Sequence, residues 1–144
     1  MSQQKSKVID AICSELKIDS TKSPNKLTKK LLLTQARFRQ RKNVSINRGC
    51  VINSAGKITI ASNVLIGPGV VIYSQNHNHI EIDTNINEQG YITAPVIINK
   101  NVWIGSRAII LPGVTIGANS IIGAGSVITQ NIADNSIYAG NPAK

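Results

Sequence analysis

The chain has 144 residues and a mass of 15.4 kDa, which is the size of one domain. Hydrophobic residues make up 42% of it, which excludes wholesale disorder, and no apolar run approaches the length of about 18 residues that a membrane-spanning helix needs. The formal net charge is +9, and it is unevenly placed: residues 1–48 contain twelve Lys or Arg and three acids, whereas residues 49–144 contain four of each.

The first 43 residues predict a basic helical arm. Val8, Ile12 and Leu16 lie four apart on one helical stripe, and Ser23-Pro24 is a typical start for a second helix over residues 26–42. The arm could contact an anionic membrane surface weakly, or nucleic acid or a phosphorylated ligand, or simply form a solubilising face. Because the N-terminus lacks the apolar stretch of a secretory signal, we expect a cytoplasmic protein.

From residue 44 the sequence repeats every six residues. Isoleucine occupies one phase through six consecutive hexads, from Ile98 to Ile128, and the same phase occurs upstream with a two-residue slip between Ile52 and Ile60. The isoleucines at this phase are Ile46, Ile52, Ile60, Ile66, Ile72, Ile98, Ile104, Ile110, Ile116, Ile122 and Ile128. Small or β-branched residues follow the later isoleucines by four, and these are Val102, Ala108, Val114, Ser120, Ser126 and Ile132.

A period of six fits neither an α-helix nor a simple two-sided strand, and it is typical of a solenoid. Three short strands per turn would form a triangular coil in which each isoleucine points inward and stacks on the next coil. Glycine and asparagine accept the turn conformations that corners require. The expected corner residues are Asn63, Gly67, Asn101, Gly105, Gly117 and Asn119. We therefore predict an all-β solenoid of about four coils over residues 44–144.

Four segments carry a resemblance to a known family: residues 102–105 (VWIG), 110–117 (ILPGVTIG), 122–126 (IGAGS) and 139–144 (AGNPAK). Residues 44–144, about seventy per cent of the chain, resemble the hexapeptide-repeat acyltransferases, and more narrowly the maltose, galactoside and capsule or O-antigen sugar O-acetyltransferases. The resemblance implies a left-handed parallel β-helix, a homotrimer with sites between subunits, acetyl-CoA as donor, and a sugar or sugar-nucleotide acceptor in polysaccharide biosynthesis.

The hexad phase is lost between Ile72 and Ile98, where residues 75–95 predict an extruded loop that contains both histidines, His77 and His79. Loops on a rigid scaffold often carry function. The approach to His77 resembles that of the family's catalytic histidine, so we expect His77 to act as general base, since imidazole titrates near neutrality. His79 is the weaker candidate, a neighbour that could contact substrate. The isoleucines of the loop suggest that it packs on something, such as a neighbouring subunit.

Further site residues follow from the resemblance. Backbone groups of Gly105 and Ser106 would lie along the CoA arm, and Trp103 would lie on the cofactor side at a coil corner. Ala124 and Thr129 match positions that line the CoA groove. Asn47 matches an acceptor contact, although a corner asparagine is an equal alternative. The family's lysine after the matching threonine is Gln130 here, so Arg107 becomes the candidate cation for the CoA phosphates.

Three alternatives stay open. A γ-type carbonic anhydrase on the same coil would need three histidines around zinc, and this chain has two in a His-x-His arrangement, so we expect no metal. A non-enzymatic scaffold with a basic binding arm is compatible with the repeat, because the fold does not oblige catalysis. No aromatic-and-basic platform for nucleic acid occurs, so we expect no nucleic-acid partner. Serine acetyltransferase is a rival within the enzyme class, but its histidine surroundings are not found here.

Overall fold

The computed structural model describes residues 38–144, which form a single parallel β-helix. The predicted helices within residues 1–37 lie outside the described residues. Residues 38–144 contain one short 3-10 helix, Ile86–Glu88, and no helix with the length and apolarity needed to cross a membrane. The architecture is the expected all-β solenoid, a left-handed parallel β-helix with one extruded segment.

Thirteen of the strands form three parallel sheets, one for each side of the triangular coil. Sheet A consists of β1 (Phe38–Gln40), β4 (Ile58–Ile60), β9 (Val96–Ile98) and β12 (Thr115–Ile116). Sheet B consists of β2 (Val44–Ile46), β5 (Val64–Ile66), β10 (Trp103–Ile104), β13 (Ile121–Ile122) and β15 (Ile137–Tyr138). Sheet C consists of β3 (Val51–Asn53), β6 (Val71–Tyr73), β11 (Ile109–Ile110) and β14 (Val127–Ile128).

The chain visits sheets A, B and C in turn, so each round adds one coil, and four complete coils are followed by part of a fifth. The predicted isoleucine stack is confirmed by the strand register. In sheet B, for example, Ile66 pairs with Ile104 and Ile104 with Ile122. The fully buried isoleucines of the stack are Ile60, Ile66, Ile72, Ile98, Ile104, Ile110, Ile116, Ile122 and Ile128. Burying each such side chain stabilises the fold by about 1.5–3 kcal/mol, which lets a core almost without aromatic rings hold the coils together.

Ile132 departs from the predicted pattern. It does not take the small position four residues after Ile128; it forms a parallel bridge with Ile116 and extends the inward column of sheet A. The repeat is two residues short at this point, so Ser136 takes the position equivalent to Ser120. The Ser136 N–H donates to the Ser120 hydroxyl at 3.3 Å, and its carbonyl accepts from the Ile121 N–H at 2.9 Å. The other small residues are buried at the corners as expected, because a larger side chain would not fit the narrow interior.

The corner residues divide into two kinds, which corrects part of the prediction. Asn63, Asn101 and Asn119 have φ near +58°, as corner residues should. Gly67, Gly105 and Gly117 do not have positive φ. They are required because the coils stack closely: a Cβ on Gly67 would lie 2.7 Å from the backbone nitrogen of Ser106.

Two further expectations are wrong in detail. The helix predicted to continue to residue 42 does not, because β1 (Phe38–Gln40) pairs in parallel with β4 and begins the first coil. Hydrogen bonding to the edge of sheet A overrides the helical pattern of the sequence there. Trp103 is not at a corner: it lies within β10, on the outer face of sheet B, between Leu65 and Ile121 of the adjacent strands.

Candidate functional site

The segment predicted as a loop over residues 75–95 contains an antiparallel hairpin. Strand β7 (Gln75–His77) follows β6 of sheet C, and β8 (Tyr91–Thr93) leads into β9 of sheet A. The two strands pair in register with His77 opposite Tyr91, and the Asn78 N–H donates to the Gly90 carbonyl at 3.1 Å. The hairpin therefore projects from one corner of the coil, and its strands give His77 a defined position.

The tip of the hairpin is held by one glutamine. The Gln89 side-chain amide donates to the carbonyls of Glu81 and Thr84, both at 2.8 Å, and its oxygen accepts from the Glu81 N–H at 3.0 Å. The isoleucines of the tip, however, are turned to solvent in the single chain: Ile82 is 97% exposed. The sequence suggested that they pack on something, and within residues 38–144 they do not.

His77 is exposed at the end of β7. Its ring contacts the Tyr91 ring, with 4.5 Å between the centroids and 44° between the planes. Its backbone N–H donates to the Asn76 side-chain oxygen at 3.0 Å, and its carbonyl lies 3.4 Å from Nδ1 of His79. Among the described residues the His77 ring itself makes no hydrogen bond, so both ring nitrogens are open to a ligand.

His77 lines a pocket of about 280 Å³ at the corner where sheet C leads into sheet A. The other lining residues are Asn53, Tyr73, Gln75, Asn76, Tyr91, Leu111 and Pro112. Apart from the imidazole, the polar groups are neutral amides and phenols. Such a set can donate and accept hydrogen bonds to hydroxyl groups without introducing a full charge.

A second, larger and more open groove, of about 870 Å³, follows the corner where sheet B leads into sheet C. It crosses all four coils and is lined by Arg48, Gly49, Pro68, Gly69, Ser106, Arg107, Ala124 and Gly125. Among residues 38–144 its lining includes two guanidinium groups and no carboxylate. The glycines leave the backbone of the corner accessible, so the groove can accept an elongated ligand that carries negative charge.

Backbone hydrogen bonds between coils hold this groove. The Gly69 N–H donates to the Arg48 carbonyl, the Arg107 N–H to Pro68, and the Gly125 N–H to Ser106, at 2.8 to 3.1 Å. The Gly105 N–H donates to the Ile122 carbonyl at 2.8 Å, whereas the Ser106 N–H makes no hydrogen bond within the described part of the chain. Of the two backbone groups predicted to face the donor, only that of Ser106 is free to bind one.

The structure brings together some of the predicted site residues and separates others. Ser106, Arg107 and Ala124 line one groove, and Gly105 is buried directly beside them. Thr129 is exposed and, like Trp103, lines neither of the two cavities. His79 lies beside His77 but outside its pocket.

The side chain of Asn47 makes a hydrogen bond between two coils. Its side-chain amide donates to the Ile66 carbonyl of the next coil at 2.9 Å, and Asn99 makes the same kind of bond to Ile116 at 3.0 Å. Because Asn99 makes the same side-chain hydrogen bond at another corner, the bond of Asn47 favours the alternative in which this residue stabilises the turn. Its role as an acceptor contact stays a prediction.

Several pocket and groove residues were not singled out from the sequence. These residues include Tyr73 and Tyr91 of the pocket and Arg48 of the groove. Nothing in their local sequence marks them, because they join the cavities through coil register and hairpin pairing. Among residues 38–144, no three His, Cys, Asp or Glu side chains form a group that could hold a metal ion.

Comparison with known proteins agrees with this architecture. Residues 95–130 match the family model described as bacterial transferase hexapeptide (six repeats). Over 103 residues the chain is 46% identical to a Saccharomyces cerevisiae protein named "Putative acetyltransferase YJL218W"; the match covers 71% of this chain and 51% of that protein. The chain thus spans about half the length of this relative.

Two solved structures are similar over longer stretches. A galactoside acetyltransferase in complex with coenzyme A is 32% identical, with a TM-score of 0.62, over 85% of this chain and 70% of that one. A hexapeptide-repeat acetyltransferase from Vibrio cholerae O1 biovar eltor, complexed with acetyl coenzyme A, is 25% identical, with a TM-score of 0.66, over 99% of this chain and 88% of that one. The chain belongs to the hexapeptide-repeat acyltransferase family.

Proposed function

We propose that this protein is an acetyl-CoA-dependent O-acetyltransferase that acts on a hydroxyl of a sugar or sugar nucleotide. The observation that carries the proposal is the placement of His77 on a hairpin that projects from the coil, in a pocket of neutral polar groups. The likeness to acetyltransferases with acetyl-CoA or CoA bound supports the same reaction class.

The groove of Arg48 and Arg107 is the proposed donor site. The pantetheine arm of acetyl-CoA is a long, flexible chain that would lie along the glycine-lined corner, and its phosphates would meet the two guanidinium groups. The unengaged Ser106 N–H would donate to the thioester oxygen as negative charge develops on it.

In the proposed reaction His77 works as general base. A ring nitrogen takes the proton from the acceptor hydroxyl while the oxygen attacks the thioester carbonyl. The resulting oxyanion collapses, the carbon–sulfur bond breaks, and the imidazolium returns the proton to the leaving CoA thiolate. The products are an acetyl ester and free CoA, and the imidazole is regenerated, so that no further reactant is needed.

The acceptor would occupy the pocket beside His77. The amides of Asn53, Gln75 and Asn76 can bind sugar hydroxyls, and the Tyr73 ring can pack against the apolar face of a sugar ring. The volume of about 280 Å³ is at the small end of ligand pockets, which favours a single sugar unit at the reacting position.

A homotrimer with sites between subunits is part of the proposal. In one chain the groove lies where the sheet C strands begin, and the His77 pocket lies where they end. A three-residue strand spans about 10 Å, and no residue lines both cavities. A donor in the groove of one subunit would therefore be served by the His77 of a neighbour, and the exposed tip isoleucines would pack on that neighbour.

The test uses His77→Ala with His79→Ala as the matched control, an exposed histidine two residues away. We expect His77→Ala to lower kcat for acetylation of a sugar acceptor by about 10²–10⁴-fold, because the proton acceptor is lost. Calorimetry should show acetyl-CoA binding within twofold of the wild type for both variants, and His79→Ala should keep its activity.

Two results would contradict the proposal. If the wild type binds neither acetyl-CoA nor CoA, the donor site is wrong, and the scaffold interpretation takes its place. If His77→Ala turns over as fast as the wild type with every acceptor that the wild type uses, the general base is another group.

A further inference from the structure

To act as a base, the exposed imidazole of His77 needs a neighbouring group that holds its ring in one orientation. In hydrolase-type sites the base is usually oriented by a hydrogen bond from a third group. Within residues 38–144 the ring of His77 makes no hydrogen bond, and none of the three acids of the hairpin, Glu81, Asp83 and Glu88, forms an ion pair with it. A free exposed side chain would sample several rotamers and present its nitrogens to the pocket only part of the time.

Within residues 38–144 the aromatic partner of this ring is Tyr91. The two residues are direct cross-strand partners in the hairpin, and both line the same pocket. Their ring centroids are 4.5 Å apart with a tilt of 44°, which lies within the range of favourable aromatic pairs. Cross-strand aromatic pairs of this kind are favourable, which is enough to favour one rotamer of an otherwise free side chain.

The backbone keeps this pair together. The Asn78 N–H donates to the Gly90 carbonyl immediately beyond the pair, and the His77 N–H is bound by the Asn76 side chain. Gly90 has φ of +75°, which lets the chain enter β8 at this point without a side chain that would strain the turn. The register of His77 and Tyr91 is thereby set independently of any ligand.

We propose that Tyr91 is a positioning residue: its aromatic ring holds the His77 imidazole in the orientation that presents a ring nitrogen to the acceptor hydroxyl. This rests on the proposed function, since it assigns Tyr91 a role in the same reaction. The ring, and not the phenol hydroxyl, does the positioning, because the contact is between the two ring systems.

The kinetic test compares Tyr91→Phe with Tyr91→Leu. We expect Tyr91→Phe to stay within twofold of the wild type, since it keeps the ring. Tyr91→Leu should lower kcat by about 10-fold or more, because a misplaced base loses most of its effect, while KM for acetyl-CoA stays unchanged. Ile92→Ala, at the next position of β8 and also exposed, controls for general weakening of the hairpin and should keep its kcat.

A second measurement does not depend on activity. The chain has only two histidines, so His79→Ala assigns the His77 ring protons in the NMR spectrum. In the wild type and in Tyr91→Phe these protons should carry a ring-current shift that Tyr91→Leu removes. Thermal melting of each variant, followed by circular dichroism, identifies loss of folding.

The outcomes separate the two proposals. Wild-type kcat in folded Tyr91→Leu, or His77 proton shifts that do not respond to this substitution, would overturn the positioning role. An equal loss of kcat in Tyr91→Phe and Tyr91→Leu would overturn it as well, since the hydroxyl would then be the required group. If His77→Ala is fully active the general base is wrong, while the ring-current shift still decides whether Tyr91 holds His77.

Discussion

At the level of single residues, Arg107 shows how a corner conformation places a charge. Its φ is +59°, a left-handed value at which the chain turns sharply between sheets B and C, and its N–H is bound to the Pro68 carbonyl at 2.9 Å. Its side chain lines the groove and passes Gly69, where an added Cβ would lie 3.4 Å from the Arg107 Cγ. The turn thus places a cation where the proposed donor phosphates would lie.

Arg107→Ala should weaken acetyl-CoA binding about 10-fold, because one charge-assisted contact to a phosphate is worth about 1.5 kcal/mol at an exposed site. Calorimetric titration at low salt measures the change, which should shrink at high ionic strength as the charges are screened. Lys100→Ala removes an equally exposed cation that does not line the groove and should bind as the wild type does. Equal weakening in both variants would show a general charge effect and no specific site.

At the level of elements, the corners are tied across coils by asparagine side chains. The amide of Asn101 donates to Asn119 at 3.1 Å, and that of Asn119 donates to Asn135 at 2.9 Å. All three residues have φ of +58°, which asparagine tolerates better than β-branched residues do. The ladder therefore supplies both the turn conformation and a lateral bond between successive coils.

Asn119→Ala should lower the free energy of unfolding by about 1–2 kcal/mol, since it loses two exposed hydrogen bonds and places a Cβ at positive φ. Asn119→Gly loses the same bonds but tolerates the φ, so it should be less destabilised than the alanine variant. Urea unfolding followed by circular dichroism measures both. If glycine and alanine have the same effect, the backbone conformation is not a source of the asparagine preference.

At the level of the whole molecule, two features of the single chain favour association between subunits. The tip isoleucines Ile80, Ile82 and Ile86 are between 63% and 97% exposed, although a solvent-facing hairpin tip is ordinarily polar. The groove and the His77 pocket lie on different corners of the chain. Both observations are accounted for if subunits of a trimer cover the tip and complete the site.

Light scattering coupled to size-exclusion chromatography should give three times the chain mass at micromolar concentration. Ile82→Asp should shift this toward the monomer, because a buried unpaired carboxylate is costly. Thr84→Asp introduces the same charge two residues along the exposed tip and is the control. A wild-type protein that is monomeric at all concentrations, yet fully active, would contradict the proposed shared site.

The stacked coils and the cavities differ in how far sequence could predict them. The isoleucine phase predicted the core because an inward side chain recurs wherever the coil returns to the same sheet. The β1 strand was missed, since its helical pattern is overridden by pairing with β4. The pairing of Tyr91 with His77, fourteen residues apart in the chain, could not be read from either segment, because it depends on where the hairpin turns.

The sequence by itself determined the solenoid, its phase and the point of its interruption, because each coil contacts only its neighbours and a periodic sequence specifies a periodic fold. The tertiary structure alone decided which residues share a cavity. Arg48, Ser106 and Ala124 meet in one groove because successive coils stack their corners, and Asn53, His77 and Leu111 meet in one pocket because the hairpin folds back over the end of sheet C. These contacts depend on the stacking of coils that are distant in the chain and on the hairpin register, neither of which is visible in any one stretch of the sequence.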